Sequence, residues 1–184
     1  DRVYQINLAI AGIAVGTVSL PVLSKALKMK NYLIVSKIQN NSLQLSLLLS
    51  IPASLGLIIA SEEIINGLFG YGSFSLKDVE LTSDALMFFG YGIIAFALVK
   101  VLTTFFFARD NTKTPFYVSS FIVLLNIIIS VSLFDRFGFL IIPIATSLSA
   151  WVGVFIFLYL LKRNDFLLIH CLLYTSPSPR DGRI

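Results

Sequence analysis

The stretch DALMFFGYGIIAFALVKVLTTFFFARDNTKTPFYVSSFIVLLNIIISVSLF, residues 84–134, decides the fold. It holds two apolar runs, 84–107 and 116–134, parted by the polar string ARDNTKTP at 108–115. A helix needs about 20 mostly apolar residues to cross the roughly 30 Å hydrocarbon core of a bilayer. Both runs have that length. Neither alternates apolar and polar residues with period two, which argues against a membrane barrel.

Outward from this pair, three more runs read the same way: about 3–23, 43–60 and 139–161. The sequence therefore predicts an all-α integral membrane chain with five spans. Composition agrees. Of 184 residues, 57% are hydrophobic and 13% charged, against about 25% charged in a soluble domain. Disorder is excluded by the high hydrophobicity. A disulfide scaffold is excluded by the single cysteine. The net charge of +4 is a small excess with no basic block, which argues against nucleic acid as a partner.

The charges are ordered along the chain. The connections at 24–42 and 108–115, with the residues after 161, carry Lys25, Lys28, Lys30, Lys37, Arg109, Lys113, Lys162 and Arg163. The alternate connections carry Lys77 and Arg136, beside the acids Glu62, Glu63, Asp78 and Glu80. The positive-inside rule places the first set in the cytoplasm. The acid-free segment 24–42 reads as an amphipathic surface helix, with Leu27, Leu33, Ile34 and Ile38 toward lipid.

Ionisable groups inside a span are functional candidates, because each costs about 2.5–3.5 kcal/mol at the helix centre. Lys100 lies nine positions before Arg109, about 13 Å inward at 1.5 Å per residue. It is expected to face a polar cavity or a partner; the alternative is a structural lysine held by helix carbonyls. Arg2 is either a helix-end residue or an intramembrane one, and Asp1 beside it would lower its burial cost by pairing. An arginine fork suits phosphate oxygens. Asn126 and Ser130 share a face of the fourth span, and Thr146 and Ser149 lie on the fifth. Their oxygens suit a small cation or, more commonly, interhelical hydrogen bonds. Gly12 and Gly16 form a GxxxG pair that reads as close helix packing. Arg109 and Lys113 read most simply as boundary anchors, and Pro115 suits a first helical turn.

The end of the chain differs. CLLYTSPSPRD at 171–181 resembles a translated transposase-end adaptor, so 171–184 is expected to be non-native. Residues 166–170 belong clearly to neither part. Without 171–184 the chain keeps twelve basic and nine acidic residues and loses its cysteine, which removes a redox or metal role for Cys171 and His170.

Four strings carry a resemblance: DRVYQINLAIAGIAVGTVSLPVLSKAL at 1–27, LFGYGSFSLKD at 68–78, FALVKVLTTFFFARDNTKTP at 96–115 and IATSLSAWV at 144–152. In order and spacing they resemble the bacterial lipid II flippase family, MurJ/MviN, over essentially all of 1–165. The resemblance implies part of the second lobe of a two-lobed helical-bundle transporter, with the first lobe supplied by the rest of the same chain. It implies transport of an undecaprenyl-diphosphate-linked peptidoglycan precursor across the bacterial cytoplasmic membrane by alternating access, and no enzymatic step. Asp1 and Arg2 match the family's substrate-engaging pair, and Lys100 matches the lysine of VKVL, read here as substrate-binding. Arg109, Asp110, Lys113 and Pro115 match a cytoplasmic loop taken as a gate or hinge. Asn126 and Thr146 fall where some members bind sodium as a coupling ion; Ser130 stands where such members have an acid. The alternative function is a cation-coupled drug or polysaccharide exporter of the same superfamily. A membrane glycosyltransferase would need an acidic donor site, and 61–83 shows no such constellation.

Overall fold

A computed structural model describes residues 15–69 and 75–166. Among them there is no strand. Six helices follow one another: α1 (Val15–Lys28), α2 (Tyr32–Ile59), α3 (Ser61–Phe69), α4 (Leu76–Phe107), α5 (Lys113–Phe137) and α6 (Ile141–Arg163). Three segments are long and apolar enough to cross a membrane: Tyr32–Ile59, Lys77–Phe107 and Lys113–Arg163. The last comprises α5 and α6, folded back on each other through the 3-10 turn Gly138–Leu140. Gly138 takes φ +58° there, a left-handed angle that favours glycine.

Capping places the helix boundaries, and it moves several of them away from the hydropathy reading. Segment 24–42 is not a separate surface helix. α1 runs on to Lys28, and α2 starts at Tyr32 because the Asn31 side chain accepts a bond from the Ile34 N–H at 3.2 Å. α2 then continues unbroken for 28 residues, about 42 Å and longer than the hydrocarbon core. α4 starts eight residues before the predicted span. Ser75 and Asp78 form a capping box: Ser75 Oγ accepts from the Asp78 N–H at 3.2 Å, and Asp78 accepts from the Ser75 N–H at 3.0 Å. Pro52 lies within α2, and Pro143 lies in the first turn of α6, where no intrahelical N–H is required.

Helix directions follow from the cross-bonds. Ser19 to Ser42, 2.6 Å, makes α1 and α2 antiparallel; Asn126 to Thr146, 3.0 Å, does the same for α5 and α6. Ser147 reaches the carbonyl of Phe88 and Trp151 that of Tyr91, so α4 and α6 run parallel. α4 is the central helix, packed on α1, α2, α3 and α6. α5 is peripheral, with Phe116, Phe121, Leu124, Ile128 and Val131 exposed. In water such a surface would be an aggregation hazard; its apolar character suits hydrocarbon.

The core is organised by small residues. On α2 the buried stripe is Gln39, Ser42, Ser46, Ser50 and Ser54, while Leu48, Leu55 and Ile59 are exposed. Hydrocarbon provides no hydrophobic drive between helices, so close approach and interhelical bonds hold them together. On α4 close approach occurs at Gly90 and Gly92. A Cβ at Gly90 would lie 2.9 Å from Ile58 Cγ1 of α2, and one at Gly92 would lie 2.6 Å from Ser147 Oγ of α6. In this notch Ser54 Oγ donates to the Gly90 carbonyl at 2.8 Å and Ser147 Oγ to the Phe88 carbonyl at 2.8 Å. Trp151 Nε1 donates to the Tyr91 carbonyl at 3.1 Å.

Gly92→Val should therefore destabilise the bundle by about 1–3 kcal/mol, the usual cost of overpacking. Gly67→Ala is the control. Its Cβ would meet nothing within 4 Å on exposed α3, and helix propensity favours the change by about 0.5–1 kcal/mol. Reversible unfolding in mixed detergent micelles compares the two.

Candidate functional site

One end of the bundle gathers three helix C-termini, and each closes in the same way. After α1, Lys30 takes φ +53°; after α4, Asp110 takes φ +56°; after α6, Asp165 takes φ +51°. An N–H three or four residues beyond each helix reaches back five residues. Asn31 bonds Ala26 at 3.1 Å, Asn111 bonds Phe106 at 3.1 Å and Phe166 bonds Leu161 at 2.9 Å. These are Schellman turns, which satisfy carbonyls a helix end leaves open. Lys25 and Lys28 on α1, and Lys162 and Arg163 on α6, occupy the last turns, where cations complement the helix dipole.

The string ARDNTKTP becomes a turn with a role for nearly every residue. Arg109 donates from Nη1 to the Phe105 carbonyl at 2.8 Å and from Nη2 to the Phe166 carbonyl at 2.7 Å. Its guanidinium carbon stands 4.6 Å from the centre of the Phe166 ring, a cation–π distance. Burial pulls its pKa below the ordinary arginine value, but a guanidinium stays charged in proteins. Asp110 is exposed and supplies the left-handed turn. The Asn111 side chain accepts from the Thr114 N–H at 3.2 Å and so starts α5. Lys113 is the exposed first residue of α5, and Pro115 is buried in its first turn.

The Phe166 carbonyl also accepts from Gln39 Nε2 of α2 at 2.9 Å. One carbonyl thus joins α2, α4 and the end of α6. The Phe166 ring meets Phe106 edge-on at 6.1 Å, and Phe106 meets Phe157 at 5.7 Å. Gln39 and Phe166 were missed by sequence reasoning. The available signal was the four-residue repeat Ser42, Ser46, Ser50, Ser54, which marks a buried polar stripe that Gln39 extends by one turn.

Lys100 lies within α4 with its side chain exposed. Its backbone carbonyl accepts from Thr104 Oγ1 at 2.9 Å. α1 crosses at this level: a Cβ at Gly16 would lie 3.0 Å from Thr104 Oγ1 and 3.8 Å from the Lys100 carbonyl. Gly16 is therefore a close-packing position. Its GxxxG partner Gly12, the pair Asp1 and Arg2, and His170 and Cys171 lie outside the described residues.

The three candidate cation ligands do meet. Ser130 Oγ donates to Asn126 Oδ1 at 3.2 Å, Asn126 Nδ2 to Thr146 Oγ1 at 3.0 Å, and Thr146 Oγ1 to the Ile142 carbonyl at 2.7 Å. The chain of donors joins α5 to α6. All three groups are neutral, and each already has a hydrogen-bonding partner. Among the described residues no three His, Cys, Asp or Glu side chains cluster as a metal site would require.

Similarity to known proteins is consistent along the chain. The family described as lipid II flippase MurJ matches residues 1–176, six residues into the segment read above as adaptor-derived. The probable lipid II flippase MurJ of Rickettsia prowazekii is 38% identical over 154 residues, 84% of this chain and 30% of that relative. The counterpart from Thermotoga maritima is 35% identical over 171 residues, 90% of this chain and 34% of its own length. A solved structure of lipid II flippase MurJ in an inward closed conformation superposes with a TM-score of 0.78 at 30% identity, covering 90% of this chain and 36% of that one. The chain thus spans about a third of the length of these proteins. Each is named for lipid II, which does not favour the drug or polysaccharide exporter alternative.

Arg109→Lys keeps the charge but loses the planar fork that reaches two carbonyls. Hydrogen bonds to charged groups contribute about 1.5–3 kcal/mol. Backbone hydrogen exchange at 161–166 should therefore rise roughly tenfold or more; unchanged exchange would remove the clamp role. With this helix packing, and a family match over nearly the whole sequence, the chain belongs to the lipid II flippase MurJ family.

Proposed function

We propose that this chain is part of a flippase that carries an undecaprenyl-diphosphate-linked peptidoglycan precursor across the bacterial cytoplasmic membrane by alternating access. The lysine-bearing end, with the connections 24–42 and 108–115 and the residues after 161, faces the cytoplasm. The rest of the same chain supplies the opposing lobe. No bond is made or broken, so the activity is transport and not catalysis.

Lys100 is the observation that carries this reading. It is an exposed cation on the central helix, about 13 Å inward from Arg109. Facing lipid at that depth it would be costly; facing a water-filled cavity between lobes it would attract an anionic headgroup. Its ammonium acts as a compact charge for diphosphate oxygens, whereas Arg2, with Asp1 beside it, offers a planar fork. The roles of Arg2 and Asp1 rest on the family resemblance. Arg109, Asp110, Lys113 and Pro115 form the firm turn between α4 and α5, a pivot about which the peripheral α5 moves. Asn126, Ser130 and Thr146, whose side chains meet between α5 and α6, would offer neutral oxygens to a sodium ion, and no step of this mechanism passes through sodium.

A complete flippase carrying this segment, expressed in a flippase-depleted bacterium, tests the reading. Lys100→Ala should cut rescue at least tenfold at equal membrane abundance, and Lys100→Arg should restore part of it. Lys77→Ala, at the opposite end of α4, should rescue normally. Equal behaviour of Lys100→Ala and Lys77→Ala would overturn the cavity assignment. Arg2→Ala should abolish rescue, and full rescue would remove the diphosphate contact.

A further inference from the structure

A groove of about 450 Å³ runs between α1 and α2. Its walls are Val15, Val18 and Val22 of α1 and Ile38, Leu45 and Leu49 of α2. Ser19 and Ser42 form its floor, and their polarity is internally satisfied. Ser19 Oγ lies 2.7 Å from the Val15 carbonyl, Ser42 Oγ lies 2.8 Å from that of Ile38, and the two hydroxyls are 2.6 Å apart. The groove therefore presents hydrocarbon and no unsatisfied polar atom at its base. From Ile38 to Leu49 it extends about 16 Å along α2, the depth of one leaflet's acyl region.

Its two walls continue into cations. On α1 the stripe 15, 18, 22 proceeds at helical spacing to Lys25; on α2 the row 45, 41 proceeds at the same spacing to Lys37, which follows Asn41 by one turn. Both lysines and Asn41 are exposed. Lys28 and Lys30 stand at the same tip, and no acidic residue occurs between Arg2 and Glu62. Exposed Met29, Tyr32 and Leu33 complete the tip, with Leu33 80% accessible. Apolar side chains and a tyrosine among lysines make an interfacial anchor.

We infer that this groove binds one anionic phospholipid of the adjoining leaflet. An acyl chain lies along Val15–Val22 and Ile38–Leu49, and the phosphate sits between Lys25 and Lys37 with the Asn41 amide beside it. Charge complementarity selects the occupant. A zwitterionic lipid would fill the groove equally well but gain little from the four lysines, which outnumber Asp110 and Asp165 at the same end of the bundle. Lys100 is not among the residues that line the groove, and the inference holds whether or not the chain carries lipid II.

The test uses the complete flippase chain in detergent micelles doped with either phosphatidylglycerol or phosphatidylcholine, with retained lipids counted by native mass spectrometry. A lysine near an anionic headgroup is worth about fivefold in preference. The unmodified protein should retain phosphatidylglycerol over phosphatidylcholine by at least that factor. Lys25→Gln with Lys37→Gln should bring the preference near parity, while Lys77→Gln leaves it unchanged. Val18→Trp, which fills the groove without altering charge, should lower retention of both lipids. Circular dichroism and monodispersity show whether each variant is folded. Should Val18→Trp misfold, quenching of the Leu45→Trp variant by bromine-labelled acyl chains, read against the unmodified protein, reports occupancy instead. Equal retention of the two lipids, indifference to the Lys25 and Lys37 changes, or absence of quenching would overturn the inference. Displacement of phosphatidylglycerol by equimolar undecaprenyl diphosphate would overturn it too, by making the groove a substrate site.

Discussion

The bundle depends on the notch in α4 at Gly90 and Gly92. Between helices in lipid, apolar burial supplies little net attraction, because hydrocarbon surrounds them either way. Backbones must approach closely enough for dispersion and polar contacts to act. Two missing Cβ atoms let α2 and α6 reach opposite sides of α4, and Ser54, Ser147 and Trp151 then donate to carbonyls at Gly90, Phe88 and Tyr91. α6 in turn carries α5, with Gly153 seated against Ile122 and Asn126 bonded to Thr146. The peripheral hairpin is thus positioned through α6 more than by α4 directly.

At the other end of α4 the binding force is electrostatic. Arg109 and Gln39 converge on the Phe166 carbonyl, so the ends of α2, α4 and α6 meet at one acceptor. Three left-handed turns at Lys30, Asp110 and Asp165 close the helices that terminate there. None of the three is a glycine, and each such angle costs an L-residue about 1–2 kcal/mol. The satisfied carbonyls and the tight entry into α2 and α5 offset that cost.

Legibility varied with the range of the interaction. Spans at 84–107 and 116–134 fall within α4 and α5, and those at 43–60 and 139–161 match α2 and α6 to within two residues at one end, because hydropathy over twenty residues is a local sum. Boundaries were less legible. The Asn31 cap and the Ser75–Asp78 box lie in polar sequence that hydropathy assigns to loops, yet they begin helices there. The place of Lys100 within an apolar helix was legible from the run around it. Asn126 and Ser130 were legible as neighbours on one face, but their junction with Thr146 needed the α5–α6 turn. The Arg109 clamp was not legible: ARDNTKTP indicates a turn, while the acceptor it reaches lies 57 residues away.

The sequence by itself determined that this is a helical membrane chain, which end collects the basic residues, and where a cation interrupts an apolar run. Those properties follow from the transfer energy of side chains into hydrocarbon, a quantity each residue carries alone. Only the tertiary structure decided which faces meet, that the serine stripe of α2 turns inward, that Arg109 closes on Phe166, and that α1 and α2 leave a groove ending in lysines. An apolar helix surrounded by lipid has no preferred inward face until a neighbour offers a notch or an acceptor, and that preference belongs to pairs of helices.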